Sequence, residues 1–301
     1  MKIRVGVVGY GNLGKEVVKK IQNDDKYHLV GVFTKRNLPD TFRIYDMPYF
    51  RNTIDLMFVC SGSQNELEGV TRQVIKDFDL IECYDDHNRL RCHIKEMDYV
   101  AKRHKKIALC SFGWDPGLFS LMRGLFDSLG YTPYSFWGKG LSQGHTQALK
   151  AIDGVKDAVQ FTIPNKEMIA KIKNGEKPVQ SPNFHRRECF VVCDKDRQRE
   201  IKQKIVSMPD YFENYKTNVH FIDQERLDKI KSFAHKGQVL TAENVMNFSL
   251  NLPSNPEFTA GVMTTFGHCY EKLKQNEKFG AYSIFDVPMN YILKDEPYKY
   301  L

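Results

Sequence analysis

The sequence predicts an α/β protein in two parts, a domain built on a parallel sheet followed by an α+β domain with a mixed sheet. Three features carry that expectation. From the start to about residue 118, short apolar runs alternate with amphipathic stretches, the pattern of a parallel sheet covered by helices. Beyond Tyr131 the extended runs lengthen and become aromatic and β-branched, which suits a mostly antiparallel or mixed sheet. Pro256 to about Gln275 then reads as one long helix with Phe258, Val262, Phe266 and Tyr270 in register, and this helix and the tail are expected to pack back on the first domain. The predicted division is 1–118 with 256–301, and 119–255.

In order, first-domain strands are expected at Ile3 to Val8, Leu29 to Phe33, Leu56 to Cys60, Leu80 to Tyr84 and Ile107 to Ser111. Helices fit between them at Leu13 to Gln22, Glu66 to Asp77 and Leu90 to His104, the last with Ile94, Met97 and Val100 at helical spacing. A further helix is expected to open at Pro116, whose fixed φ suits a first turn, and to run to about Leu129. Second-domain strands are expected at Tyr134 to Trp137, Ala158 to Ile163, Glu188 to Cys193, Val219 to Ile222 and Gln238 to Leu252, with helices at about 166–173 and 196–206.

Composition narrows the function classes. An apolar share of 42% and a charged share of 27% are those of a globular chain. No apolar run approaches the roughly 20 residues of a membrane span. Met1 to Val5 runs directly into a strand pattern without the apolar core of a signal peptide, so a soluble cytoplasmic protein with no membrane partner is expected. The net charge of +7 is scattered among acids with no basic run interleaved with aromatics, which argues against a nucleic-acid partner. Seven cysteines without a C-x-x-C pair read as thiols of a reducing compartment, and Cys189 with Cys193 lacks the two further ligands a zinc site needs, so no metal is expected.

Gly9-Tyr10-Gly11-Asn12-Leu13-Gly14 is G-x-G-x-x-G placed after a strand and at the opening of a helix, the context of a Rossmann-type dinucleotide site. Gly9 would permit the tight turn, Gly11 the approach of the pyrophosphate, and Gly14 close helix-to-strand packing. The helix N-terminus would offer free N–H groups to the phosphates. About 20 residues on, an NAD site presents an acid to the ribose 2′-hydroxyl. Here Phe33 is followed by Thr34, Lys35 and Arg36, a hydroxyl and two cations suited to a 2′-phosphate, so NADP is predicted over NAD. Cys60-Ser61-Gly62-Ser63, at the carboxyl end of the third strand, would pass under the cofactor.

Asp85 and Asp115 follow later strands and would face the same rim as the glycine turn. Acids there suit the binding of an ammonium and the proton traffic of an amine oxidation; the plainer alternative for Asp115 is the cap of a helix starting at Pro116.

With the glycine hexapeptide, Gly113-Trp114-Asp115-Pro116-Gly117, the run from Phe136 through Trp137 to His145 (FWGKGLSQGH), Met208-Pro209-Asp210-Tyr211-Phe212 and Asn255-Pro256-Glu257-Phe258-Thr259 together resemble the meso-diaminopimelate dehydrogenase family, from residue 1 to about 290. The resemblance implies NADP-dependent, reversible oxidative deamination of meso-2,6-diaminopimelate at its D-centre, in supply of lysine and cell-wall precursors. It also implies a homodimer whose middle domain supplies substrate contacts and the subunit interface. Asp85 and Asp115 then resemble the pair at the D-centre amino group, with Trp114 and Trp137 shaping the pocket and Gln143 and Gly144 holding the adjacent carboxylate. Thr162, Arg187 and His235 resemble the distal carboxylate clamp, and Asn255 an amino-group partner. His235 stands in a stretch that matches the family's only in part, and His145 is as readily structural as a contact. Thr241 to Leu252 departs from the family pattern and leaves Asn244 as a candidate for a second distal asparagine. The rival readings are another Rossmann reductase, such as a dihydrodipicolinate reductase, and a non-catalytic NADP-binding protein.

Overall fold

The computed structural model describes residues 2–62, 65–232 and 234–301. The chain runs through β1 (Ile3–Val8), α1 (Asn12–Gln22), β2 (Tyr27–Thr34), β3 (Phe42–Arg43), β4 (Leu56–Val59), α2 (Asn65–Val74), β5 (Asp79–Glu82), α3 (Leu90–His104), β6 (Ile107–Leu109) and α4 (Leu118–Ser128). It continues through β7 (Tyr134–Trp137), β8 (Gly140–Leu141), α5 (Gln143–Lys150), β9 (Asp157–Pro164), α6 (Lys166–Lys173), β10 (His185–Val192), α7 (Gln198–Val206) and β11 (Lys216–Phe221). The last elements are α8 (Gln224–Ile230), β12 (His235–Leu240), β13 (Asn247–Leu252), α9 (Asn255–Gly267), α10 (Tyr270–Gln275) and β14 (Gly280–Tyr282). Two compact units result, Met1–Leu121 with Pro256–Leu301, and Met122–Asn255.

The first unit holds a seven-stranded sheet in the order β14-β6-β5-β4-β1-β2-β3, and every pairing in it is parallel. A parallel sheet is covered on both faces, and its central strand β4 is accordingly apolar throughout, with all four residues buried. One face packs β1 residues Val5 and Val7 against α1 residues Val17 and Ile21 and against Met263, Phe266 and Leu273 of α9 and α10. The other packs Met57 and Val59 against Leu67, Val70 and Val74 of α2 and Met97 and Ala101 of α3. Truncating a fully buried side chain such as Phe58 to alanine is expected to cost about 3–5 kcal/mol.

The second unit has a four-stranded mixed sheet, β11-β10-β9-β8, in which β10 and β11 run parallel and the other pairs antiparallel. A separate three-stranded antiparallel sheet has the order β13-β12-β7. The predicted class, a parallel α/β part plus a mixed-sheet α+β part, is the one observed.

Three sequence expectations are corrected. Gln238 to Leu252 is not one extended run: β12 and β13 form a hairpin across Ala242–Asn244, where Glu243 and Asn244 take φ of 57° and 52° and the Thr241 N–H closes on the Met246 carbonyl at 3.1 Å. Left-handed residues in succession reverse a strand and cannot continue it. Pro256 to Gln275 is two helices. At His268 and Cys269 the amides bond to the third residue back, Thr265 and Phe266, and the His268 ring turns onto Asp24 at 2.8 Å. The apolar register survives the break, since Val262, Phe266 and Tyr270 are all buried. The helix expected at Pro116 begins instead at Leu118, because the Gly113 N–H bonds to the Pro116 carbonyl and the Leu118 N–H to the Gly113 carbonyl, which closes a loop before the first turn. Its N-cap position therefore falls to Gly117 and not to Asp115.

Candidate functional site

The glycine turn leaves β1 with Gly9 at φ +94° and its N–H on the Phe33 carbonyl at 2.8 Å. A Cβ on Gly14 would stand 2.0 Å from the Gly9 carbonyl oxygen, so only glycine lets α1 approach the strand end this closely. Above Gly11, in contrast, a Cβ would meet nothing within 4 Å. Helix α1 has neither a side-chain cap nor an acid in its first turn, which leaves its N–H groups and positive dipole end for an anion.

At the end of β2, buried Thr34 accepts the Arg36 N–H at 3.2 Å, and the Arg36 guanidinium donates to the Tyr10 carbonyl inside the glycine turn. Lys35 is ion-paired with Glu66 of α2 at 2.8 Å. After β4, Cys60 is buried and hydrogen-bonded to the Val8 carbonyl at 2.7 Å. The Ser61 hydroxyl is buried without a hydrogen-bond partner among the described residues, and Gly62 is exposed beside Glu66. Ser63 lies outside the described residues. A bare helix N-terminus, open space over Gly11, cations after β2 and an orphaned hydroxyl after β4 all suit a dinucleotide carrying an additional phosphate.

Asp85 follows β5 and Asp115 follows β6. Since β6, β5, β4, β1 and β2 are neighbours running the same way, the loops after all of them leave one edge of the sheet. Asp85 is exposed, but protein surrounds it closely enough for desolvation to push its carboxyl up to about 6; Asp86 and Glu82 add to that shift and His87 opposes it. Accessibility combined with desolvation is the condition of a group lining a concavity. Asp115 is half-buried in the closed loop before α4, and Trp114 beside it is buried with its ring edge-on to Phe119 at 5.1 Å.

In the second unit, Thr162 and Arg187 are register partners on β9 and β10, and Gly140 of β8 faces Thr162 from the other side. One guanidinium nitrogen of Arg187 donates to the Thr162 hydroxyl at 2.6 Å, and its carbon lies 4.0 Å from the centre of the Tyr215 ring. Arg187 is 8% exposed, its Nε is buried without a partner, and burial works against its charge. Among the described residues no carboxylate forms an ion pair with it. A buried cation in that condition calls for an anionic ligand.

His235 opens β12 against Gly140, where a Cβ would stand 2.3 Å from the imidazole, so glycine there makes room for the ring. Burial holds the His235 pKa down to about 4, which makes it a neutral hydrogen-bonding group, and its Nδ1 is paired with the Lys236 carbonyl at 2.8 Å. Trp137 ends β7; its main-chain N–H donates to His185 Nε2 at 2.8 Å and the two rings lie 5.0 Å apart. Gln143 and Gly144 open α5, Gln143 exposed and Gly144 half-buried. Asn255 opens α9, three residues beyond Leu252, the register partner of His235. His145 sits among aromatics, edge-on to Tyr211 and Phe212, with Ser142 Oγ 2.8 Å from Nδ1 and a pKa held down to about 3 by burial. Asn244 is a residue of the β12–β13 turn, its side chain bonded to that of Asn247 at 3.4 Å.

Sequence reasoning missed Tyr215, Glu82 and His185. Tyr215 precedes β11 and reaches Arg187 only through the parallel β10–β11 pairing, which no local pattern announces. Glu82 is a fully buried carboxylate at the end of β5, and the one available signal was a charge inside the otherwise apolar run Leu80 to Tyr84.

Comparison with known proteins gives a consistent picture. The family model of the diaminopimelic acid dehydrogenase C-terminal domain matches residues 113–254. A meso-diaminopimelate D-dehydrogenase of Ureibacillus thermosphaericus is 38% identical, over 98% of this chain and 97% of its own length. The structure of C. glutamicum DAP dehydrogenase in complex with DAP has a TM-score of 0.94 at 33% identity, covering 99% of this chain and 98% of that one. An engineered D-amino acid dehydrogenase bound to NADP+ has a TM-score of 0.91 at 32% identity with the same coverage.

Proposed function

Since the chain belongs to the meso-diaminopimelate dehydrogenase family, we propose that it catalyses the NADP-dependent, reversible oxidative deamination of meso-2,6-diaminopimelate at the D-centre, giving L-2-amino-6-oxopimelate and ammonia. The observation that carries this reading is the common sheet edge from which the glycine turn and the segments bearing Asp85 and Asp115 emerge. NADP supplies the hydride acceptor when bound.

The chain's own residues bind, orient and manage protons. Gly9 to Gly14 and the α1 N-terminus would take the pyrophosphate, Thr34, Lys35 and Arg36 the 2′-phosphate, and Cys60, Ser61 and Gly62 would line the remaining floor. Asp85, with its carboxyl pushed up to about 6, is suited to receive a proton from the D-centre ammonium near neutral pH, while Asp115 holds the same nitrogen. Trp114 and Trp137 are assigned aromatic contacts with the substrate, and Gln143 and Gly144 the binding of its D-centre carboxylate. Thr162, Arg187 and His235 take the distal carboxylate and Asn255 the distal amino group. Positioning of this kind supplies much of the rate in such reactions.

The first unit is read as the dinucleotide-binding domain and the second as the substrate-binding and dimerisation domain of a cytoplasmic homodimer serving lysine and cell-wall precursor synthesis. No helix of the described residues is long and apolar enough to cross a membrane. The test is NADPH formation from meso-diaminopimelate, with NAD and the LL isomer as controls. Turnover of the meso compound with NADP and none of the LL isomer is the expected result. Equal oxidation of the LL isomer would refute D-centre chemistry, and activity confined to NAD would refute the cofactor assignment.

A further inference from the structure

Glu82 is fully buried, yet its carboxylate is engaged by main-chain amides and one imidazole. One oxygen takes the Tyr84 N–H; the other takes the Ser111 N–H at 3.1 Å and lies 3.1 Å from His93 Nε2. Its own carbonyl accepts the Phe112 N–H at 2.9 Å. These amides belong to the two segments that lead into Asp85 and into Asp115. We infer that Glu82 is a positioning residue, fixing the placement of the Asp85 and Asp115 loops relative to one another through those amides. The inference rests on the roles proposed above for the two acids.

The surroundings support a positioning task. Ser111 stands at φ +64°, a left-handed conformation that costs a non-glycine residue about 1–2 kcal/mol and persists where its neighbours hold it. The Glu82 bond to its N–H is such a hold. His93 is fixed in turn by stacking on Tyr84 at 4.2 Å, and the Tyr84 hydroxyl donates to Glu68 of α2 at 2.5 Å. Arg89, at the far end of the Asp85 loop, pairs with the other Glu68 oxygen at 3.0 Å. That loop is thus tied at both ends to one side chain, while Glu82 joins its first residue to the other acid's segment.

A carboxylate suits the task because N–H donors converge on both of its oxygens; an amide would set an NH2 against one of them. Glu82, His93 and Cys110 place their ligand atoms within 4.8 Å of one another, as a metal site would. The carboxylate oxygens already accept amide hydrogens, however, and burial pushes the Cys110 thiol well up, so the cluster acts as a hydrogen-bond network.

The test is Glu82→Gln in the full-length protein, with NADPH affinity read by fluorescence and kcat and KM by turnover of meso-diaminopimelate. Wild-type turnover is established first, and its absence would refute the proposed function rather than this inference. The expected result is unchanged NADPH affinity with kcat lowered about 100-fold, the effect of a misplacement of about 1 Å at reacting groups. Wild-type kcat in a folded Glu82→Gln overturns the inference, and so does a parallel loss of NADPH binding, which would mark general damage. If that variant does not fold, His93→Phe carries the test, since it keeps the stack on Tyr84 and removes one carboxylate partner. A kcat lowered at least about tenfold with NADPH binding intact supports the inference, and an unchanged kcat overturns it.

Discussion

Replacing Arg187 by methionine separates recognition from stability. Arg187 is 8% exposed, its guanidinium bonded to Thr162 at 2.6 Å and 4.0 Å from the Tyr215 ring centre, with Nε unpartnered. Burying a charge costs several kcal/mol, and a desolvated cation–π contact returns about 2 kcal/mol. An apolar side chain of similar length therefore leaves the fold as stable or more so. The substrate's distal carboxylate would lose charge-assisted hydrogen bonds worth about 1.5–3 kcal/mol each. A net loss of about 3 kcal/mol corresponds to roughly 150-fold in kcat/KM at about 1.4 kcal/mol per decade. The assay compares meso-diaminopimelate with D-norleucine, which keeps the carbons as far as the distal centre and lacks both the distal carboxylate and the distal amino group, and records a melting curve. The expected result is a loss of that order for diaminopimelate, little change for D-norleucine and no fall in Tm. Equal losses for both substrates would refute the clamp, since they would locate the damage at the reacting centre.

Arg36→Ala is expected to raise the KM for NADPH roughly 30-fold, from about 2 kcal/mol of charge-assisted bonding, with little effect on NADH; equal effects would remove the 2′-phosphate assignment. Glu66→Gln frees Lys35 from a pair in which both side chains are substantially exposed, so NADPH affinity should tighten by up to about fivefold, and a weaker affinity would contradict that competition. Asp85, whose carboxyl is raised to about 6, loses its base form as pH falls through that value, so kcat/KM should show an acid limb there that Asp85→Asn abolishes. The same shift penalises the folded state once the carboxyl ionises. Asp85→Asn should therefore raise Tm increasingly from about pH 4, the unfolded value, to about 6, hold that gain above, and give none below; a gain confined to acid pH would refute the shift.

The parts of the molecule legible in the sequence are those whose geometry is local. The glycine turn was locatable because a strand, a turn without side chains and a helix follow one another within a few residues. The segments bearing Asp85 and Asp115 could be assigned to one edge because parallel strands send every following loop the same way. The hairpin at Ala242–Asn244 was not legible: φ values above 50° at Glu243 and Asn244 are imposed by pairing across it, and neither residue type demands them. Nor was the break at His268, where Asp24, more than 240 positions earlier, captures the ring. Short β3 and β8 add edges to their sheets with only two residues each, too few for any period to register.

Arg187, expected from the family resemblance, and Glu82, which was not expected, share a physical trait. Each is an ionisable side chain buried on a strand, against the general preference for burying only uncharged groups. Glu82 offsets its desolvation with amide donors from two loops, whereas the described contacts of Arg187 include no carboxylate. That contrast separates a role in holding the backbone from a role in receiving a ligand. An internally satisfied charge orders the chain around it, while an unsatisfied one lowers its free energy only when an anion arrives. The contrast also sets the order expected of the variants. Neutralising Glu82 disturbs turnover through the backbone and stability with it, whereas neutralising Arg187 leaves the fold intact and removes affinity for a doubly carboxylated substrate.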